Sequence, residues 1–314
     1  MAEDKMTLNN KAIPLEILEK VFKELDDNGL DFARMTCKRW KQLIDKMTTP
    51  NPILYQAIMK GNLKSVQHHI KEGENIEAKN SDGQTALHYA VSINQSNIVE
   101  FLLQKRAKID KKDKVGNAPI HTAVSRKYNR IVEILIKHNA DLEAENGWLK
   151  TPLHIAAEKG LTEMAQMLIT KGAKIEAKDG WGATPLYLAA SSGQILTLGM
   201  LLKNGANIEA ENDFGERPLH AAINCDDSEC FGSDKIVEIL LQKGATLDAK
   251  NWFNNTPLHL AVNSRRQSKV EKLVRYGVSL NIRQHRGWTP LECALNLELD
   301  QNCFKILLYN EGLM

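Results

Sequence analysis

The side chains best suited to metal binding in this sequence are five histidines at regular intervals along the chain. They are His88, His121, His154, His220 and His259. A zinc ion holds its nitrogen ligands at about 2 Å, so two ligands of one ion must approach within roughly 4 Å of each other. Equivalent positions in successive packed helical units are about 9–10 Å apart. We therefore predict no shared metal ion and expect each ring to hydrogen-bond the backbone of its local turn.

Cysteine is the other residue type that could do chemistry here. Cys225 and Cys230 follow His220 closely, but three loosely spaced ligands are a poor indication of zinc, and an enzyme that uses either thiol is an alternative. The five cysteines are odd in number and scattered, which favours reduced thiols. Neither a glycine-rich phosphate loop nor a Gly-x-Ser-x-Gly motif occurs. The sequence therefore predicts no catalytic residue, no metal and no cofactor.

Charge and hydropathy exclude two classes of partner. Lys plus Arg number 41 and Asp plus Glu 39, a formal net charge of +2, which gives no strong basic field for nucleic acid or an anionic membrane. No apolar stretch is long enough to span a bilayer. The N-terminus lacks the apolar segment of a secretory signal peptide. We expect a cytoplasmic protein.

A four-residue motif, seen as Thr-Pro-Leu-His at 151–154, recurs with a step of 33 residues over most of the chain. An apolar run such as Ile131–Ile136 follows each copy at a constant offset. Each unit therefore predicts a short helix that starts at the proline, a turn, and a second amphipathic helix. The copies begin near residues 51, 85, 118, 151, 184, 217, 256 and 289.

The second helix of most units is followed by glycine, the residue that best accepts a left-handed helix cap. The glycines are Gly73, Gly172, Gly205, Gly244 and Gly277. Asn139 tolerates this conformation, whereas Arg106 in the same place should be strained.

The motif and its period resemble the ankyrin repeat, whose helix start is Thr-Pro-Leu-His-x-Ala. The resemblance implies an all-α solenoid of about eight repeats over residues 49–314, built to bind proteins. One unit is 39 residues long, with six extra residues around 224–233. We interpret them as a solvated loop insertion, with a partner contact or a redox-reactive cysteine pair as the alternative.

Residues 13–46 lie ahead of the repeats and have a different pattern. Pro14 suits a helix start, and Leu15, Leu18, Phe22 and Leu25 share one helical face. A second helical stretch follows an acidic turn. So short a segment rarely folds alone, so its apolar side chains must pack on the repeats or on another protein.

This segment resembles an F-box, with a Leu-Pro-like start and a Cys-Lys-Arg-Trp cluster near its end at 37–40. The resemblance implies a small helical F-box-like domain over residues 1–48 that binds a Skp-type adaptor and, through it, a cullin ubiquitin ligase. The alternative is a helical cap on the first repeat. Carried over by position, the adaptor-binding residues are Pro14, Leu15, Ile17, Leu18, Phe22, Leu25, Leu30, Met35, Cys37 and Trp40.

Aromatic residues occupy the loops between repeats, where short loop tips are normally polar. The aromatic residues that precede a motif copy by three positions form one row. Two tryptophans lie beside this row. Exposed aromatics dominate the energy of protein interfaces, so we predict a stripe about 30 Å long that binds a target protein. The alternative is that the rings pack against each other. The predicted target-binding residues are Trp148, Trp181, Phe214, Trp252, Phe253 and Trp288.

Together, these resemblances imply a non-catalytic substrate-recruiting adaptor of a Skp/cullin/F-box ubiquitin ligase that is monomeric on its own. The alternative is a protein-interaction scaffold whose N-terminal helices are only a cap and which has no role in ubiquitination. An F-box followed by ankyrin repeats also resembles effectors that intracellular bacteria deliver into host cells. That origin implies action in the host cytosol.

Overall fold

The computed structural model of the chain describes residues 7–8, 11–12, 52–225, 232–296 and 301–310. The chain divides into two compact units, residues 1–114 and 115–314. Within the described residues, no helix is long and apolar enough to cross a membrane.

The described part of the first unit contains a short strand pair and two pairs of helices. Strands β1 (Thr7–Leu8) and β2 (Lys11–Ala12) are antiparallel, with Thr7 opposite Ala12. The predicted helices of residues 13–46 lie outside the described residues. The helices are α1 Pro52–Met59, α2 Leu63–Lys71, α3 Ala86–Ser92 and α4 Ser96–Gln104.

The second unit repeats the same pair of helices, in confirmation of the predicted all-α repeat architecture. The first helix of each pair packs on the first helices of its neighbours, and the second helices do likewise. The helices are α5 Pro119–Ser125, α6 Asn129–Lys137, α7 Pro152–Glu158, α8 Thr162–Thr170, α9 Pro185–Ser191, α10 Ile195–Lys203, α11 Pro218–Asn224, α12 Ser233–Gln242, α13 Pro257–Asn263, α14 Gln267–Arg275, α15 Pro290–Asn296 and α16 Gln301–Asn310.

Helix α7 shows why the motif starts a helix. Thr151 has an extended backbone as the N-cap, and Pro152 occupies the first helical position, where its missing N–H costs nothing. The Nδ1 atom of His154 accepts the Thr151 N–H at 3.1 Å. Gly160, with φ of 68°, ends the helix and turns the chain into α8. The motif therefore encodes the cap, the first turn and the fixed start of each helix.

The core of the second unit has no single centre. Small buried residues such as Ala156 and Ala157 let first helices approach closely. Larger residues such as Leu168 and Leu198 are buried on the second helices. One apolar cluster extends from Ala157 to Leu307. Each repeat therefore buries its apolar faces only by contact with its neighbours, as expected for a solenoid.

An acidic side chain of one repeat also binds the backbone of the next. The Oε1 atoms of Glu143 and Glu176 accept the N–H groups of Lys174 and Asn207, both at 2.8 Å. Glu209 accepts the Thr246 N–H at 2.7 Å. These charge-assisted bonds hold the chain at the point where each second helix leads into the next loop.

The long repeat departs from the others after α11. In the preceding repeat, the Gly193 N–H satisfies the Ala190 carbonyl at the end of α9. In the long repeat Cys225 has an extended backbone with ψ of 129°, so the chain cannot make the same turn. Lys269 replaces that bond: its Nζ donates to the Ile223 carbonyl at 3.1 Å and to the Cys225 carbonyl at 2.8 Å.

Lys269 is fully buried, and the sequence analysis did not single it out. It occupies the third position of α14, where other second helices place buried residues such as Ile98, Ile131 and Met164. A buried ammonium is costly unless it is hydrogen-bonded. A lysine is therefore accommodated at this otherwise apolar position because the insertion one repeat earlier leaves carbonyls that its ammonium group can bond.

Arg106 confirms the predicted strain after α4, because it has φ of 63° where other repeats have glycine. We expect Arg106→Gly to raise the free energy of unfolding by about 1 kcal/mol, since only glycine adopts this conformation without a Cβ penalty. Thermal unfolding followed by circular dichroism measures the change. Arg106→Ala keeps the Cβ and serves as the control. A melting temperature of the glycine variant no higher than that of the alanine variant would refute the strain.

Lys269→Met should lower the free energy of unfolding by about 1–3 kcal/mol, because it leaves two carbonyls at the end of α11 unsatisfied. The matched background is deletion of residues 226–231, which restores the 33-residue period and aligns Gly232 with the turn glycine Gly193. There, Lys269→Met should be neutral or stabilising, since the turn itself satisfies the carbonyl. An equal loss in both backgrounds, measured by urea unfolding, would show that Lys269 does not compensate for the insertion.

Candidate functional site

The loops before α7, α9, α11 and α13 are each shaped by one Asn or Asp side chain. The Oδ1 atom of Asn146 accepts the N–H groups of Trp148 at 2.9 Å and Lys150 at 3.1 Å. Asp179 does the same with Trp181 at 2.9 Å and Ala183 at 3.0 Å. This side-chain turn fixes the loop tip and places the third residue at its outer end.

The next two loops have the same geometry. Asn212 accepts the N–H of Phe214, and Asn251 accepts the N–H of Phe253. The predicted aromatics therefore lie at equivalent places on four consecutive tips. We call Trp148, Trp181, Phe214 and Phe253 the tip row.

Backbone hydrogen bonds connect each tip to the next. The N–H of Gly180 donates to the Trp148 carbonyl at 3.0 Å, and the N–H of Asp213 donates to the Trp181 carbonyl at 2.9 Å. The series continues from Trp252 to Phe214 at 3.0 Å. Because these bonds use only backbone atoms, they fix the spacing of the row and leave its side chains out of the folding contacts.

The rings of the tip row are exposed to solvent. Trp148 and Trp181 are each 51% exposed, Phe214 44% and Phe253 56%. Trp252, beside the row, is 66% exposed. Among the described residues from 115 onward, no two aromatic side chains form a ring pair, and the aromatic ring pairs found elsewhere are Tyr55–Tyr89 and His68–His69. The alternative that these rings pack against each other is therefore not what the geometry shows.

Two further apolar residues extend the surface, and the sequence analysis did not include them among the target-binding residues. Val115 occupies the tip position one repeat earlier and is exposed. Leu149 is also exposed, with φ of 55° at a position where most tips have glycine. On the next tip, a Cβ at Gly180 would lie 3.0 Å from the Trp148 carbonyl oxygen and in ordinary contact, at 3.9 Å, with Leu149. An aliphatic residue that keeps a strained backbone on an exposed tip is a candidate for a binding role.

Trp288 differs from the other predicted target-binding residues. It follows the next tip by two residues, is partly buried, and packs against the core cluster. Its carbonyl accepts a hydrogen bond from His259, and the Arg286 guanidinium lies 5.7 Å from its ring centroid. The structure therefore brings five of the six predicted residues together and sets Trp288 apart.

The charged residues next to the tip row are mostly paired within the chain. Lys150 forms an ion pair with Glu158 at 2.8 Å. Arg217 pairs with Glu209 and Glu211. The row is therefore a largely apolar surface, with the exposed carboxylate of Asp213 beside Phe214.

Each motif histidine connects its own helix to the next loop. Nδ1 of His154 accepts the N–H of its N-cap, as predicted, and Nε2 bonds the Ala183 carbonyl at 3.0 Å. His121 and His259 reach Lys150 and Trp288 in the same way, at 3.0 and 3.1 Å. The sequence analysis anticipated the first bond but not the second, because the second depends on how the repeats stack.

These bonds require a neutral ring, since Nδ1 must accept a hydrogen bond while the N–H of Nε2 donates one. Burial lowers the pKa values of His154, His220 and His259, and the backbone hydrogen bonds oppose that effect only in part. In one repeat Tyr187 replaces the histidine, and its hydroxyl donates to the Glu216 carboxylate at 2.7 Å. Burial, followed by the charge of Glu216, raises the pKa of Tyr187.

The described residues contain no group of three metal-ligating side chains. Cys293 and Cys303 are buried and form no disulfide, whereas Cys225 is disulfide-bonded, so the expectation of reduced thiols does not hold for Cys225. A sulfur in a disulfide is not a thiolate nucleophile, which argues against an enzyme that uses Cys225. The predicted adaptor-binding residues and Cys230 lie outside the described residues.

Comparison with protein families gives two matches. The model for ankyrin repeats in three copies matches six overlapping segments between residues 54 and 313, which are 54–146, 94–179, 120–212, 153–251, 200–284 and 228–313. The F-box domain model matches residues 12–49. No curated protein matches the chain. Both sequence resemblances are therefore confirmed at the level of the family.

The neutral histidines predict a loss of stability in mild acid. Their pKa values are lower in the folded chain than the ordinary 6.5. Below about pH 6.5 the unfolded chain therefore binds more protons than the folded chain. The free energy of unfolding should be at its full value near pH 7.5 and fall as the pH is lowered to about 5.5.

The measurement is the urea midpoint as a function of pH. His154→Gln is the matched variant, because its amide can still donate to the Ala183 carbonyl but does not titrate. We expect it to show a shallower decrease than the parent chain. The same slope in both proteins would contradict a contribution from His154.

Proposed function

Because the chain belongs to the ankyrin-repeat family and carries an F-box match ahead of the repeats, we propose that it is a non-catalytic substrate receptor of a Skp/cullin/F-box ubiquitin ligase. The observation that carries this proposal is the combination of an F-box match at residues 12–49 with an exposed aromatic row on the repeats. One end would bind the ligase and the other the target.

The ligase end is the F-box-like domain, for which we propose residues 1–48. By resemblance to the F-box we propose that Pro14, Leu15, Ile17, Leu18 and Phe22 are among the side chains that contact a Skp-type adaptor. The apolar content of this short segment supports the proposal, because such a segment gains stability when it packs on a second protein. Residues 49–314 would then form the target-binding domain.

The target end is the tip row with Trp252. Exposed tryptophan and phenylalanine rings are the usual energetic centres of protein interfaces. The backbone bonds between tips hold these rings in place before a partner arrives, so little conformational entropy is lost on binding. Binding at this row would bring a target protein to the ligase.

The mechanism of this receptor is proximity. When adaptor and target are bound to one chain, the target lysines meet the ubiquitin-conjugating enzyme at a high effective concentration. No residue of the receptor makes or breaks a bond, so its contribution to rate comes from binding alone.

The arrangement of an F-box followed by ankyrin repeats also supports an origin as an effector of an intracellular bacterium, with action in the host cytosol. The alternative function is a protein-interaction scaffold without a role in ubiquitination, in which the N-terminal segment covers the first repeat. The two functions differ in one property, the binding of a Skp-type adaptor.

The double substitution Pro14→Ala and Leu15→Ala tests this difference. We expect at least about a tenfold loss of affinity for a purified Skp-type adaptor, since the change removes an apolar anchor and the helix start. Surface plasmon resonance measures the affinity, and circular dichroism measures the melting of the repeats, which should be unchanged. Glu16→Ala, a polar neighbour outside the apolar face, is the control and should bind normally.

Two outcomes favour the scaffold. Absence of adaptor binding by the folded parent chain removes the ligase role. A drop in repeat melting that parallels the loss of binding shows that the segment is a cap.

A further inference from the structure

We propose that the tip row recognises a proline-rich segment in the polyproline II conformation, with a proline at every third residue. This inference rests on the proposed function, because it names the chemistry of the target that the row would bind. It goes further in that it commits to one backbone conformation and one spacing of side chains.

The spacing of the tips is the first argument. The backbone bonds from each tip to the next make the step of the row equal to the step of the repeats. Packed helices are about 8–10 Å apart. A polyproline II helix has three residues per turn and a rise of about 3.1 Å, so one face recurs every 9.3 Å or so.

Other backbone conformations match this step less well. One face of a β-strand recurs after two residues, at about 6.6 Å, or after four, at about 13 Å. A face of an α-helix recurs after seven residues, at about 10.5 Å. Of these three conformations, only polyproline II has a repeat distance within the spacing of about 8–10 Å that helix packing gives the tips.

The chemistry of the side chains is the second argument. Proline rings pack well on flat aromatic faces, and the backbone carbonyls of a polyproline II segment have no internal partners. A tryptophan indole supplies a flat face together with a single N–H donor. Among the described residues, the indole N–H groups of Trp148, Trp181 and Trp252 make no hydrogen bond within the chain. They are therefore able to donate to the carbonyls of a bound segment.

The low free charge of the surface is the third argument. The cationic groups nearest the row, Lys150 and Arg217, are already paired with carboxylates. Recognition of an acidic or phosphorylated segment would require cationic groups that are not committed elsewhere, and the exposed carboxylate of Asp213 beside Phe214 would repel such a segment. A proline-rich segment needs none, so its binding to this surface should depend little on ionic strength.

The space between neighbouring rings supports the same ligand. Between Phe214 and Phe253, Trp252 covers Gly215 and fills the interval. Between Trp148 and Trp181 the corresponding residue is Gly180, which has no side chain; a Cβ there would lie 3.0 Å from the Trp148 carbonyl oxygen and in ordinary contact, at 3.9 Å, with Leu149. We therefore place the central proline between Trp148 and Trp181, with flanking residues on Phe214 and Phe253.

The probe for the test is a fluorescein-labelled oligoproline of about 12 residues, or four turns of the helix. Its binding to the full chain is measured by fluorescence anisotropy at low and at high salt. A Gly/Ser peptide and a helical Ala/Glu/Lys peptide of the same length are the control ligands. We expect saturable binding of the oligoproline alone, with nearly the same Kd at both salt concentrations.

The protein variants locate the site. Trp148→Ala combined with Trp181→Ala should weaken oligoproline binding at least tenfold, as expected for two interface anchors of about 1 kcal/mol or more each. Both side chains are exposed, so thermal unfolding should change little. Leu196→Ala, an exposed apolar residue on α10, is the matched control and should leave binding unchanged.

Three results would overturn the inference. They are failure of the oligoproline to bind saturably, equal binding by the tryptophan variant, and stronger binding of the helical control peptide. None of them affects the proposed ligase role, which is judged by adaptor binding through Pro14 and Leu15. Loss of adaptor binding with intact oligoproline binding would instead leave this inference standing and remove the ligase role.

Discussion

The stacking of repeats in the second unit depends on a hydrogen bond from a buried neutral histidine to the backbone of the next loop. In each case Nδ1 receives the N–H of the helix cap while Nε2 bonds a carbonyl of the following repeat, as in the bonds of His154 to Thr151 and Ala183. The ring therefore orients the start of a helix and the position of the next tip at once. Because its second partner is a backbone atom, the bond forms regardless of which side chains the next loop carries.

This separation leaves the tip side chains available for recognition. The Asn or Asp side chain and the backbone bonds between tips do the positioning, and the backbone bond forms with Val115 at the tip as well as with Trp148. Aromatic rings are therefore not needed there for folding. Their exposure on four consecutive tips is a property that a binding partner explains better than stability does.

Where a repeat loses a standard contact, another residue replaces it. Tyr187 takes the place of the histidine and bonds Glu216 in the next loop. Lys269 satisfies the end of α11 after the insertion has removed the usual turn. Each replacement restores a hydrogen bond between neighbours, which is the requirement that stacking imposes on every repeat.

The sequence by itself determined the repeat, its helix boundaries, the strained cap at Arg106 and the aromatic loops, because caps, turns and amphipathic faces depend on residues close together in the chain. It also identified the F-box family through a local pattern, although the adaptor-binding residues lie outside the described part of the chain. Only the tertiary structure revealed the role of Lys269, the second bond of each histidine and the separate position of Trp288. Those contacts join residues about 30 or more positions apart. A local pattern does not encode them, because they arise from the packing of one repeat on the next.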